Sequence, residues 1–467
     1  MRRVSRLLLP ALLALGSGCT VGPSYERPAL DVPVGYRGEA TAMAGAASLG
    51  EAQWWEVFRD EELQALIRRA LQANYDVRIA AARILQSRAQ LTITRAAQFP
   101  TVSAGAAAGR QRQPEQDFGG MTIPPFEFNT FQLDAMLSWE LDFWGKFRRG
   151  TEAARANLLG TEWAQRAVLI SVISTVANAY FQLRELDLEL EIARRTLASR
   201  EESLKLIQIQ EAGGVVSLLD VRQAEQLVFT AAETITDAER RMEQQENALS
   251  TLLARNPGPI PRGLALADQP QPPEVPAGLP SSLLERRPDI RQIEQSLIAA
   301  NAQIGVAKAA YFPTISLTGS GGLQSFALAS LFTGPAGFWS VAGSLVQPIF
   351  TAGRLKAGVR LTEAQAEELV HSYRQTVQQA FRDVSNALVG YRKAREFRER
   401  QALLAASTQD AARLSDIRYR GGATSYLEVL TSQTNNFSAE LGLAQARLNE
   451  LLAMVQLYSA LGGGWQP

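Results

Sequence analysis

The stretch VAKAAYFPTISLTG (306–319) reads as a helix that a proline forces into a strand, and the chain makes the same move twice. ITRAAQFPTVS (93–103) carries the same Ala-Ala-x-Phe-Pro-Thr core followed by β-branched residues. Pro313 and Pro100 cannot donate a helical hydrogen bond, and they push Phe312 and Phe99 toward extended backbone. Helix is therefore expected to end within a residue or two of each proline, which become two helix-to-strand junctions.

The likeness extends outward from both copies. NYDVRIAAARILQSRAQLTITRAAQFPTVS (74–103) aligns without gaps with RPDIRQIEQSLIAANAQIGVAKAAYFPTIS (287–316), Asp76 falling on Asp289 and Gln90 on Gln303. Further on, Gly145-Lys146 falls on Gly353-Arg354, VANA (176–179) on VSNA (384–387), and GGVVSLLDV (213–221) on GGATSYLEV (421–429). Between the copies, residues 256–280 hold eight prolines, which precludes a continuous helix or a central strand. The chain thus divides into a first repeat (50–255), a Pro-rich linker (256–280) and a second repeat (281–467).

Each repeat reads as helix, strand pair, very long helix, Gly-Gly turn, helix. In the second copy Val370, Tyr373, Val377, Ala380, Val384, Ala387, Tyr391 and Ala394 alternate by three and four. Leu169, Val172, Val176, Ala179, Leu183, Leu186, Leu190 and Ala193 do so in the first. Sustained heptad spacing marks helices packed side by side. Neither 147–212 nor 355–420 contains a proline, and at 1.5 Å per residue such a helix is about 100 Å long. Long helices are expected at 146–212 and 354–420, with return helices at 218–254 and 426–461.

The hairpins are expected at 101–143 and 314–350. FQLDAMLSWELDF (131–143) alternates strictly, with Phe131, Leu133, Ala135, Leu137, Trp139, Leu141 and Phe143 on one face and polar residues on most of the other. Strands of about ten residues with that alternation suit an outer-membrane barrel; a soluble half-buried sheet shows the same pattern. Four strands cannot close a barrel, and an open edge in lipid leaves backbone groups unpaired. The chain must oligomerise, with two copies giving eight strands and three giving twelve. The apolar run 167–183 carries a polar stripe of Ser174, Asn178 and Gln182, so it reads as amphipathic rather than transmembrane.

The N-terminus MRRVSRLLLPALLALGSGC has a basic start, a short apolar run and then small residues. It reads as a signal peptide (1–18), the run being too short to span a bilayer. Cys19, the only cysteine, sits where a bacterial lipobox would place the acylated residue, with 19–50 as a lipid-anchored segment. An ordinary cleaved signal with a chance cysteine remains the alternative. Lys+Arg and Asp+Glu both number 47, so no strong field draws the chain to nucleic acid. One histidine, His371, on a helical pattern cannot build a zinc site of the usual kind with a single cysteine. No catalytic residue, cofactor or metal is expected, and the acidic pair Glu367-Glu368 reads as a solvated helix face.

CTVGPSYERP (19–28), WWEVFRDEELQALIRRAL (54–71), LLERRPDIRQIEQSLIAANAQIGVAKAAYFPTISLTG (283–319) and LVQPIFTAGRL (345–355) resemble the TolC-like outer-membrane efflux proteins, in particular their lipoprotein branch. The resemblance covers essentially the whole mature chain. It implies an α+β membrane protein that forms a homotrimer, with a twelve-stranded β-barrel in the outer membrane of a Gram-negative bacterium. An α-helical tunnel would cross the periplasm to a periplasmic adaptor and an inner-membrane pump, usually proton-driven. The implied function is a passive exit duct for small molecules. The alternatives are a channel for protein secretion, or a coiled-coil lipoprotein tether without a pore. By the same resemblance the two Gly-Gly turns, Gly213-Gly214 and Gly421-Gly422, form the periplasmic gate and adaptor-docking tip. Tyr419 then matches a tyrosine of the closing network and Asp220 an acidic residue of the opposite hairpin, with Arg418 and Arg420 as partners. Thr424 stands where some relatives carry a charge.

Overall fold

A computed structural model describes residues 20–37, 48–270 and 280–465. The signal peptide, Cys19 and residues 271–279 of the Pro-rich linker lie outside the described residues. In chain order the principal elements are α1 (Glu61–Ala73), α2 (Tyr75–Ala96), β1 (Thr101–Gln113), β2 (Gln116–Phe118), β3 (Met121–Ile123), β4 (Phe126–Glu140), α3 (Lys146–Ala212) and α4 (Leu218–Leu252). The second half gives α5 (Pro288–Ala309), β5 (Thr314–Ser325), β6 (Gly337–Val346), α6 (Arg354–Arg420) and α7 (Tyr426–Ala460). Two compact units result. One gathers residues up to Ala29, Ile84–Gly160 and Ile293–Tyr373; the other gathers Leu30–Arg83, Thr161–Gln292 and Arg374 onward.

The first unit holds a four-stranded antiparallel sheet in the order β1-β4-β5-β6, beside a small two-stranded sheet of β2 and β3. Register carries the alternation of β4 across all four strands. Leu137 pairs with Val102 and Gly319, and Gly319 pairs with Val341. Ala135 pairs with Ala104 and Gly321, and Gly321 with Trp339. These residues share one face, because side chains alternate along a strand and paired residues point the same way. The other face carries Ser103, Ser138, Thr318 and Ser344, and Ser320 meets Ser340 at 2.8 Å between hydroxyl oxygens. The apolar face is uncovered: Trp339 is 81% and Val341 77% exposed.

Helix does not run as close to the prolines as the sequence suggests. α2 ends at Ala96 and α5 at Ala309, each four residues before its proline, whereas β1 and β5 begin on the residue after it. The intervening turns are closed by three-residue hydrogen bonds, Phe99 N–H to the Ala96 carbonyl and Phe312 N–H to the Ala309 carbonyl, both near 3 Å. The residue before proline has to leave the α region, and the helix tightens and stops a turn earlier to allow it. The strands also differ from the alternating stretch. β4 begins five residues ahead of Phe131 and stops at Glu140. Asp142 instead accepts the backbone N–H groups of Phe147 and Arg148 at 3.1 and 2.9 Å, satisfying two orphan donors at the start of α3. β6 stops at Val346, and Pro348 follows where a ladder donor would be needed.

The second unit is helical. Val172, Val176, Leu183, Leu186 and Leu190 of α3 and Val377, Val384 and Ala387 of α6 are buried along the heptad stripes. One stretch of α3 is long and apolar enough to cross a membrane by composition, and half of it is buried in protein.

Candidate functional site

The sheet, the segment before α1, and the two Gly-Gly hairpins are the parts with functional character. In the first unit an extended strap, residues 20–27, is tied down residue by residue. Thr20 lies against Gly145 and the Val21 N–H donates to the Trp144 carbonyl at 3.1 Å. Asn301 donates to the Pro23 carbonyl, and Arg27 grips the buried Glu294 carboxylate with two bonds of 2.6 and 3.0 Å. Trp144 in turn stacks on Phe312 at 4.6 Å and donates to the Pro313 carbonyl at 2.8 Å. The start of the strap is therefore fixed beside the helix-to-strand junction.

In the second unit both Gly-Gly turns are the same cap. Gly214 donates to the Glu211 carbonyl and Val215 to that of Gln210; Gly422 donates to Tyr419 and Ala423 to Arg418, all at 2.8–2.9 Å. This is the paired 5→2 and 6→1 bonding of a Schellman motif. It needs a left-handed residue, which Gly214 and Gly422 supply at φ +73°, without the Cβ penalty.

The structure distributes the tip residues unevenly. Asp220 closes a capping box with Ser217, accepting its N–H at 2.9 Å and its hydroxyl at 2.8 Å. Tyr419 donates to Gln210 Oε1 at 2.6 Å, joining α6 to α3, and its ring lies 5.3 Å from that of Tyr426. Burial, and then the Asp220 carboxylate, raise the Tyr419 phenol above its usual range. Burial first and Tyr419 next push Tyr426 up to about 12. Arg418 pairs with Glu428 and Arg420 with Asp416, not with Asp220. Thr424 donates to the same Glu428 carboxylate.

Sequence reasoning missed Asp60 altogether. It is 1% exposed and caps α1 by accepting from Glu62 and Leu63. It also accepts the Tyr180 hydroxyl at 2.8 Å, the Leu264 N–H at 2.9 Å and the Gln269 amide at 2.9 Å. Gly263 passes so close that an added Cβ would stand 2.1 Å from Asp60 Oδ1. The one available signal was Asp immediately before EELQALIRRAL, an N-cap signature.

Glu185, 6% exposed on α3, was also missed. Burial, then the Glu189 carboxylate, push its carboxyl from 4.5 up to about 7, with Arg241 opposing. The folded chain therefore holds this proton more tightly than the unfolded chain does. The associated stability is full below about 4.5 and is lost as pH rises to about 7. Glu185→Gln should unfold like wild type at pH 4.5 and be more stable at pH 8, by on the order of 2–3 kcal/mol. Denaturant midpoints at the two pH values check this, and an equal midpoint at pH 8 refutes it.

A strand set with one lipid-type face, one polar face and two outer strands, in a chain with two 67-residue helices, defines a channel subunit of the outer-membrane class. A family model described as "Outer membrane efflux protein" matches residues 66–255 and again 279–463, one match per repeat. The chain belongs to this family. It is 38% identical over 468 residues to a probable efflux pump outer membrane protein, TtgC, of Pseudomonas putida, covering 99% of this chain and 96% of the relative. It is 36% identical over 462 residues to the cation efflux system protein CusC of Escherichia coli, covering 98% and 99%. The open-state MtrE outer membrane channel of Neisseria gonorrhoeae superposes with TM-score 0.87 at 34% identity, covering 96% of this chain and 99% of that one. The protein is an outer-membrane exit channel of a tripartite efflux system, and not an enzyme.

Proposed function

We propose that three copies close a twelve-stranded barrel and conduct small molecules passively outward, with energy supplied by a proton-driven inner-membrane pump through a periplasmic adaptor. The observation that carries this reading is the four-stranded sheet with one uncovered apolar face and one polar face. Among the described residues β1 and β6 each have one strand neighbour, and in lipid such edges must be paired. Two copies would suffice for eight strands; family membership favours three. Relatives named for toluene and for cation efflux support small solutes over protein export as cargo. A tether without a pore would have no need of the lipid-type face.

Cys19 carries the acyl anchor in this reading, and the strap from Thr20 to Arg27 holds it at the level of the barrel–tunnel junction, next to outer-membrane lipid. Radiolabelled palmitate should enter the wild type and not Cys19→Ala; equal labelling removes the anchor.

The Gly-Gly hairpins form the periplasmic tip, which docks the adaptor and closes the tunnel. Tyr419 supports closure by bonding Gln210, and Asp220 by capping α4 and facing the phenol with its charge. Tyr419→Phe removes one hydrogen bond, and Asp220→Ala removes a cap of about 1 kcal/mol. The double variant should raise single-channel conductance in planar bilayers several-fold. Unchanged conductance would take both residues out of the gate while leaving the duct itself intact.

A further inference from the structure

A groove of about 570 Å³ runs between α3, α6 and α7 in the second unit, and it contains a cation that no carboxylate of the described residues neutralises. Arg200 is 3% exposed. Its guanidinium lies 4.7 Å from the Phe437 ring centroid and donates once to the Leu227 carbonyl, at 2.6 Å. Its Nε has no hydrogen-bond partner, and among the described residues no carboxylate pairs with it. The other guanidiniums of the groove are matched: Arg195 with Glu440, Arg413 with Asp410 and Arg420 with Asp416. A buried charge without a counter-charge is costly, and that cost is reduced when an anion sits beside it.

Two further groups of the same groove are also unpartnered. Gln433 Oε1 and Asn436 Oδ1 are buried acceptors without donors. Tyr419, Tyr426 and Phe437 supply flat apolar wall. We propose that this groove is a binding site for a small amphipathic organic anion, an aromatic carboxylate bearing a hydroxyl. Arg200 receives the carboxylate, the hydroxyl donates its single hydrogen to Gln433 Oε1, and the aromatic rings cover the apolar body. Nothing in this assignment depends on the gate reading of Tyr419 and Asp220.

The test is calorimetric titration of the purified full-length protein with 4-hydroxybenzoate, whose hydroxyl cannot reach its own carboxylate, with benzyl alcohol as the neutral control. Saturable binding of the anion alone is expected. Arg200→Met should weaken it by about tenfold or more, the loss of a hydrogen bond to a charged group, and Gln433→Leu several-fold. Absence of saturable binding, equal binding of benzyl alcohol, or equal affinity in wild type and Arg200→Met overturns the proposal. Should Arg200→Met fail to fold, Gln433→Leu decides: unchanged affinity there overturns it as well.

Discussion

Val341→Arg is expected to abolish the assembled channel, whereas Ser340→Arg, one residue earlier, should leave it intact. Val341 lies on the apolar face of β6, 77% exposed and paired with Gly319. An arginine at the depth of the bilayer centre costs about 2–4 kcal/mol per chain, and assembly would incur that cost once for every copy in the ring. Ser340 points the other way, with its hydroxyl against Ser320 at 2.8 Å. An arginine there projects from the polar face and should alter ion selectivity rather than assembly. Outer-membrane fractionation and the heat-dependent shift in gel mobility distinguish the two. If Val341→Arg assembles like wild type, the apolar face does not meet lipid.

Asp60→Ala is expected to be the most damaging substitution in the helical unit. Removing the carboxylate strips the α1 cap and leaves the Tyr180 hydroxyl, the Leu264 N–H and the Gln269 amide without their acceptor. Each lost bond to a charged group is worth about 1.5–3 kcal/mol. A cap is worth roughly 1 kcal/mol, so the total exceeds a large share of ordinary stability. Purified Asp60→Ala should unfold well below wild type, and Asp60→Asn, which keeps one acceptor oxygen, at an intermediate point. Gly263→Ala tests the same cradle from its other wall, because the added methyl collides with Asp60 Oδ1. An unfolding temperature of Asp60→Ala matching wild type would refute the account.

What could be read from the residues was what repeats. The long helices were legible because proline-free heptad stripes allow little else. The lipid face was legible on β4, where large and polar residues alternate. On β5 the same alternation runs through smaller residues, Ile315, Leu317 and Leu323 with Gly319 and Gly321 between them, and the register sets the two glycines opposite Val341 and Trp339. The two helix ends ahead of Pro100 and Pro313 came earlier than expected, at Ala96 and Ala309, because the preference of the residue before proline propagates backward through i to i−3 hydrogen bonds, whereas the ends of the long helices at Ala212 and Arg420 fell where expected. Asp60 and Tyr180 meet across 120 residues and Tyr180 and Gly263 across 83, and long-range polar contacts leave no period to find. At the tip, the glycines were readable as turn residues. The bond from Tyr419 to Gln210 was not, since it joins helices from different repeats.

The two outer strands have a kinetic consequence. A sheet that ends in unpaired N–H and C=O groups on both sides offers the chain no complete state of its own. Channel formation then depends on encounter, and its rate rises more steeply than the first power of chain density. Confinement to a surface raises local concentration as a linker does. A chain released into the periplasm would therefore assemble more slowly than a tethered one of identical stability, and would spend longer exposed to proteases and to pairing with the wrong edge.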